Sequence, residues 1–339
     1  MKIYEKKQKN YGIALLRVLL SFMVVIDHCY NKRKKKVFMH ILYYHIPTFF
    51  VLSFYFTYHT FATYNISKIK LRFERIVIPY FVWSIICWLL FNIYYYKFKR
   101  KCPHKIYDLF SGLLNGHSLN LTFWFQVILV LTSLIMAIFV LFFREKYLLI
   151  LNFWLAFSYI LQYSGLNYNF FLIHYDSHYS ATYSRFFNTF PNSICGFFLA
   201  AYNIPSKLKF YKNKIIIISL IILAIISKYQ FDKCLFINKY GGIRLNFASI
   251  CLFFIFYYLP CDKIKSKILV NFLNIITDYT AGIYFLHYII KSGYIIRFFL
   301  DKKKLRTVSG SIYVYLISFI ISFFIDKSCG NTKLKHLVK

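Results

Sequence analysis

Three polar residues interrupt the first apolar segment of the chain: Arg17, Asp27 and His28. Charged and titratable groups in lipid are costly, so each is a functional candidate by default. Ten residues separate Arg17 from His28, close to three helical turns, which places both on one face about 16 Å apart along the axis. Asp27 lies about 100° further around, so adjacency alone does not make it the group that orients the His28 ring. An imidazole near neutrality can accept a proton from a hydroxyl. The structural alternative is a histidine at the membrane interface, solvated by headgroups. An arginine and a histidine on one face, with His45 in the next segment, shift the balance toward chemistry.

Further along, Arg72 and Arg75 stand i and i+3 on one face of a helix start. Guanidinium forks suit phosphates, although arginines also snorkel to lipid headgroups. Ser53 offers a hydroxyl that can act as a nucleophile or, as is usual in membrane helices, as a packing and hydrogen-bonding group. Trp124 reads as an interface anchor or as the lining of an acceptor path. His287 has Lys291 one turn later on the same face. The stretch His174-Tyr175-Asp176-Ser177-His178 alternates its ligand-type residues, but three ligands fall short of a structural zinc set. No metal is expected. Cys29, Cys87, Cys195 and Cys251 fall in apolar segments and read as small packing residues. Cys102 and Cys234 lie in hydrophilic loops and could pair, and there is no CxxC spacing. Glycine-rich phosphate loops, HExxH and GxSxG are absent.

These residues must be positioned by elements that live in lipid. The 339-residue chain is 59% hydrophobic, 22% aromatic and 16% charged, with a mean hydropathy of +0.52. Soluble domains carry roughly a quarter charged residues. The composition predicts an all-α, polytopic integral membrane protein and excludes a soluble enzyme, a disordered tail, a coiled coil and a small disulfide scaffold. The net charge of +32 comes from residues between apolar segments, which read as headgroup anchors. The partner they imply is the bilayer, not nucleic acid.

Apolar runs of spanning length predict about ten transmembrane helices. They cover Gly12 to Tyr30, Ile41 to Thr63, Ile76 to Tyr96, Leu121 to Phe143 and Tyr147 to Tyr163. The others cover Phe186 to Asn203, Asn213 to Tyr229, Ile243 to Leu259, Thr277 to Leu300 and Ser311 to Ile325. Continuous apolar runs favour helices over alternating barrel strands. Ile106 to Leu114 is too short to cross and predicts an interfacial or re-entrant helix set off by Gly112 and Gly116. With Arg17, Asp27 and His28 inside it, the first segment is not a cleavable signal core. There is no soluble insert and no convincing repeat, so residues 1–339 read as one membrane domain. Lysines and arginines in the short loops favour cytoplasmic termini by a thin margin, against the contrary runs Lys32 to Lys36 and Lys302 to Lys304.

Taken in order, the motifs resemble the membrane-bound acyltransferase 3 family, which modifies cell-surface glycans and lipids. Arg17 to His28 fits its first-helix signature. Pro47-Thr48-Phe49-Phe50-Val51-Leu52-Ser53 resembles its FF-hydrophobic-hydrophobic-Ser-Gly motif, with Phe54 at the usual glycine. Arg72-Phe73-Glu74-Arg75 resembles its Arg-x-x-Arg loop, with Pro79 opening the third helix. Trp124-Phe125 resembles the start of its fourth helix, and Gly282-Ile283-Tyr284-Phe285-Leu286-His287 its late signature. The resemblance implies transfer of an acyl group, most simply acetyl, from an acyl-CoA to a hydroxyl of a glycan or lipid-linked sugar. Arg72 and Arg75 would hold the coenzyme A phosphates at a cytoplasmic mouth, with Arg17 near the phosphates or thioester. His28 would take the acceptor proton, either directly or after accepting the acyl group. Tyr284, His287 or Ser53 would supply donors to the tetrahedral centre. Phe54 would narrow the pocket or shift the second helix, since glycine lets backbones approach. The plasma membrane or a eukaryotic endomembrane would house the protein. The rival reading is a transporter or flippase of a glycan intermediate, and a third is a catalytically inactive homologue.

Overall fold

The computed structural model describes residues 10–29, 44–99, 106–115, 123–163, 177–233, 243–261, 266–291, 307–329 and 336–339. Among these residues every regular element is helical. The long helices are α1 (Tyr11–Cys29), α2 (His45–Phe61), α3 (Ile66–Lys99), α4 (Ile106–Asn115), α5 (Trp124–Phe143) and α6 (Tyr147–Tyr163). They continue with α7 (Ser177–Ala201), α8 (Lys212–Lys233), α9 (Ile243–Tyr258), α10 (Lys267–Asp278), α11 (Thr280–Lys291) and α12 (Val308–Cys329). Helix is the expected outcome for apolar sequence in lipid, because it satisfies backbone groups within one segment.

Most expected spans match a helix, with two corrections. First, α3 starts ten residues earlier than Ile76, so Arg72 and Arg75 sit within the helix and Pro79 lies inside it rather than at its opening. The residues before Ile76 are too charged to read as spanning, yet they extend the same helix. Second, the helix expected from Thr277 starts at Thr280 as α11, and a helix that was not expected, α10, precedes it; the two meet at Tyr279 with a 64° bend. Among the described residues five stretches are long and apolar enough to cross a bilayer, α5 and α6 counting together as one, and six if the bent pair counts as one. Helices α2 and α9 have 17 and 16 residues, and α7, with 25, is rich in serine, threonine and asparagine. Helix α4 is the short helix expected at Ile106. Its Ile106, Tyr107, Phe110 and Leu114 are exposed, and the Tyr80 hydroxyl donates to the Leu113 carbonyl at 2.5 Å. The basic runs at Lys32 and Lys302, Cys102, Cys234, Gly116 and residues 174–176 lie outside the described residues.

Helix α1 is central and packs against α2, α9, α10, α11 and α12. Asn10 caps it, accepting from the Ile13 amide at 3.0 Å and donating to the Tyr257 carbonyl at 2.9 Å. Two apolar clusters flank it: one joins α1, α3, α11 and α12, the other α2, α3, α5, α6 and α7. Helices α2 and α7 meet closely because Gly196 lies on the Val51 backbone, where any Cβ would collide with the Val51 carbonyl. Phe54, at the position expected to constrict the pocket, is fully buried in the second cluster with Phe50, Ile128 and Phe190.

Candidate active site

One face of α1 carries two polar groups at its two ends, each met by a different set of helices. At the arginine end, the Arg17 Nη2 donates to Thr280 Oγ1 at 3.2 Å. Thr280 donates its own proton to the Thr277 carbonyl at 3.0 Å, so its oxygen faces Arg17 as an acceptor. Arg72 points into the bundle and donates from Nη2 to Ser53 Oγ at 2.9 Å. Its buried Nε has no hydrogen-bond partner among the described residues. The Arg72 charge is felt by Arg75 and Arg17, while Asp278 acts on Arg17. Arg75 itself is exposed. The two arginines expected as a matched pair therefore diverge: Arg72 belongs to the interior and Arg75 to the surface.

At the histidine end, the last turn of α1 brings His28 against His287 of α11, with ring centroids 5.2 Å apart and planes at 33°. Tyr288 meets His28 edge-on at 6.4 Å. His287 is fully buried, and its Nδ1 lies 3.2 Å from the Ile283 carbonyl one turn back. Asp27, Lys291 and His45 lie within electrostatic reach of His28; Asp27 and Lys291 also act on His287. Asp27, set aside by its angle on the helix, is thus buried beside both rings.

The remaining motif residues connect the two ends. Phe125 touches Phe50 at 4.8 Å and Tyr284 at 5.5 Å, and Tyr284 reaches the His287 ring at 5.9 Å. Trp124 is buried with the Arg185 guanidinium 4.6 Å above its ring, so it is packed within the protein rather than anchored in headgroups. Midway along α1, Tyr315 of α12 hydrogen-bonds Ser21 at 2.9 Å.

The late signature also has a structural foot. Gly282 is in the first turn of α11, where amides lack intrahelical acceptors, and its N–H donates to the Val338 carbonyl at 3.1 Å. The Trp83 indole donates to the Leu337 carbonyl at 2.9 Å, and Val338 is fully buried. Lys339 Nζ lies 2.7 Å from Asp326, which also accepts from Tyr279 Oη at 2.7 Å. Bonding to that carboxylate raises the Lys339 ammonium above its ordinary value. Residues 337–339 thus strap the break between α10 and α11.

Sequence reasoning missed Thr280, Arg185 and this strap. Thr280 stands seven residues before His287, the spacing of one helical face, and could have been found from it. Arg185 borders an apolar run and qualifies under the same rule as Arg17. Among the described residues no group of three or more His, Cys, Asp or Glu is arranged to hold a metal ion.

What the arrangement offers chemically is two part-buried guanidinium groups toward one end of a helix and an imidazole pair toward the other. The family model described as an acyltransferase domain, that of the acyltransferase 3 family, matches residues 10–326. No curated protein and no solved structure matches the chain.

Proposed function

Because the chain belongs to the acyltransferase 3 family, whose domain spans its residues 10–326, we propose that it moves an acyl group, most simply acetyl, from an acyl-CoA to a hydroxyl of a glycan or lipid-linked sugar. One observation carries this reading: α1 joins an interior arginine site to a histidine site across about 16 Å, a span suited to a donor whose phosphates and thioester are far apart. Arg72 and Arg17 hold the coenzyme A phosphates, and the Arg72 Nε, which has no partner among the described residues, is a buried donor that a phosphate oxygen would satisfy. The exposed Arg75 draws the donor to the mouth. At the other end His28 meets the acyl carbon and the acceptor hydroxyl. The hydroxyl oxygen bonds to the carbonyl carbon, the C–S bond breaks and coenzyme A leaves as its thiol. The Tyr284 ring lies 5.9 Å from that of His287, and its hydroxyl is the donor assigned to the tetrahedral oxyanion. The arginine end faces the cytosol, where coenzyme A is available, and the histidine end faces the acceptor.

The rival is a transporter, and the discontinuous α10–α11 pair is the feature that favours it. Transporters carry such broken helices in pairs related by internal repeats; among the described residues there is one. The test is direct. Purified protein in detergent, given acetyl-CoA, should release free coenzyme A thiol, and His28→Ala should stop the release while coenzyme A still binds. A transporter would show no turnover, and full turnover by His28→Ala would remove His28 from the chemistry.

A further inference from the structure

We propose that the two histidines divide the reaction: His28 carries the acyl group, and His287 is a second catalytic residue whose Nε2 takes the proton from the attacking hydroxyl. This rests on the acyltransferase reading above and assigns one of the two routes it leaves open.

The argument starts from the His287 tautomer. Its Nδ1 lies 3.2 Å from the Ile283 carbonyl. A carbonyl oxygen has no proton to give, so the contact is a hydrogen bond only when Nδ1 carries the hydrogen. In the neutral ring Nε2 then holds the lone pair. That nitrogen is fully buried and has no hydrogen-bond partner among the described residues. A buried acceptor without a partner is costly, and here it belongs to a ring 5.2 Å from His28. The ring is also held in place. Thr280 at the start of its helix receives Arg17, Gly282 is tied to Val338, and the His287 ring is anchored to its own helix. A fixed, correctly protonated base needs no rearrangement when the acceptor arrives.

The charges around the pair are of both signs. Asp27 acts on both rings and is the anion beside an imidazolium formed on either. Lys291, one turn beyond His287, opposes it, and His45 and the edge of Tyr288 complete the groups facing His28. His28, in the last turn of α1, has among the described residues no carbonyl tether like that of His287, and is the ring left to meet the donor.

The steps balance. A neutral His28 nitrogen bonds to the acyl carbon as the C–S bond breaks, and the leaving thiolate takes the ring proton from the other nitrogen to give free thiol. The acceptor oxygen then bonds to the acyl carbon, its proton passes to His287 Nε2, and the C–N electron pair returns to His28. Transfer of the proton from His287 to His28 restores both rings.

The experiment uses the full chain in detergent with acetyl-CoA and two nucleophiles. Water as acceptor needs a base; hydroxylamine attacks as its neutral form and does not. His287→Asn keeps a side-chain N–H near the Nδ1 position but has no basic nitrogen at Nε2. It should lose hydrolysis by about a hundredfold or more, the usual contribution of a positioned base. Its hydroxylamine transfer should stay within about threefold of the unaltered protein. His28→Ala should lose both. Coenzyme A binding by calorimetry checks that each variant is folded, and His287→Gln serves if His287→Asn is not. Retained hydrolysis in a folded His287 variant overturns the proposal, as does equal loss of both reactions. Hydroxylamine transfer by His28→Ala overturns the acyl-carrier half. If the unaltered protein turns over with neither nucleophile, the acyltransferase reading itself fails.

Discussion

Arg72 and Arg75 differ by three positions and by everything around them. Arg72 donates to Ser53 and keeps a buried Nε with no partner among the described residues, whereas Arg75 is exposed. A charged hydrogen bond inside the protein contributes about 1.5–3 kcal/mol, and exposed charges are screened by salt. Arg72→Ala should therefore weaken coenzyme A binding by roughly ten- to a hundredfold with little salt dependence, by the same arithmetic. Arg75→Ala should weaken it only a few-fold, by an amount that shrinks as salt rises. Isothermal titration at two salt concentrations compares them, and equal losses would contradict the division. Ser53 accepts from Arg72 and so holds the guanidinium in place. Ser53→Ala should raise the Michaelis constant for acetyl-CoA while kcat stays within a few-fold, whereas a nucleophilic serine would lose kcat altogether.

At the scale of elements, two glycines differ in what faces them. A Cβ at Gly196 meets the Val51 backbone, which cannot turn away, and the close approach of α2 and α7 depends on it. At Gly282 the facing atoms are the Ser322 and Val338 side chains, with Val338 Cβ at 2.9 Å. Overpacking costs about 1–3 kcal/mol where neighbours can adjust. Gly196→Ala should abolish recovery of monodisperse protein. Gly282→Ala should be recovered with a lowered Tm, and Ser322→Ala in that background, which removes the nearest facing atom, should restore part of it, the coupling expected of residues in contact. No recovery of Tm in the double variant would mean that Ser322 of α12 does not bear on α11.

On the proposed reading the whole molecule presents its arginine end to the compartment that holds acyl-CoA. Lys70 is exposed on α3, on the turns that carry Arg72. A single cysteine at position 70, in a background with no other cysteines, should resist an impermeant thiol reagent in intact cells and react once the membrane is opened. One at position 34, within the basic run of Lys32 to Lys36, should react in intact cells. Labelling of position 70 from outside would invert the bundle and defeat a cytosolic donor.

Much of this was legible in the residues themselves. Apolar runs in a lipid solvent become helices whatever their neighbours, so most elements follow from local composition. A fixed helical pitch puts Arg17 and His28 on one face of α1 without help from any other segment, and the ordered motifs pointed to the family. Local pattern does not report which remote helix arrives at that face. That His287 meets His28, that Thr280 meets Arg17 and that Arg72 turns inward while Arg75 turns out all depend on contacts between distant segments. The bend at Tyr279 lay hidden because the lysine-bearing approach to α10 reads as a loop rather than as a helix set against α11. The first turn of α11 is held by the Val338 carbonyl and its flank by Tyr279 bonding to Asp326, and only packing brings those groups together.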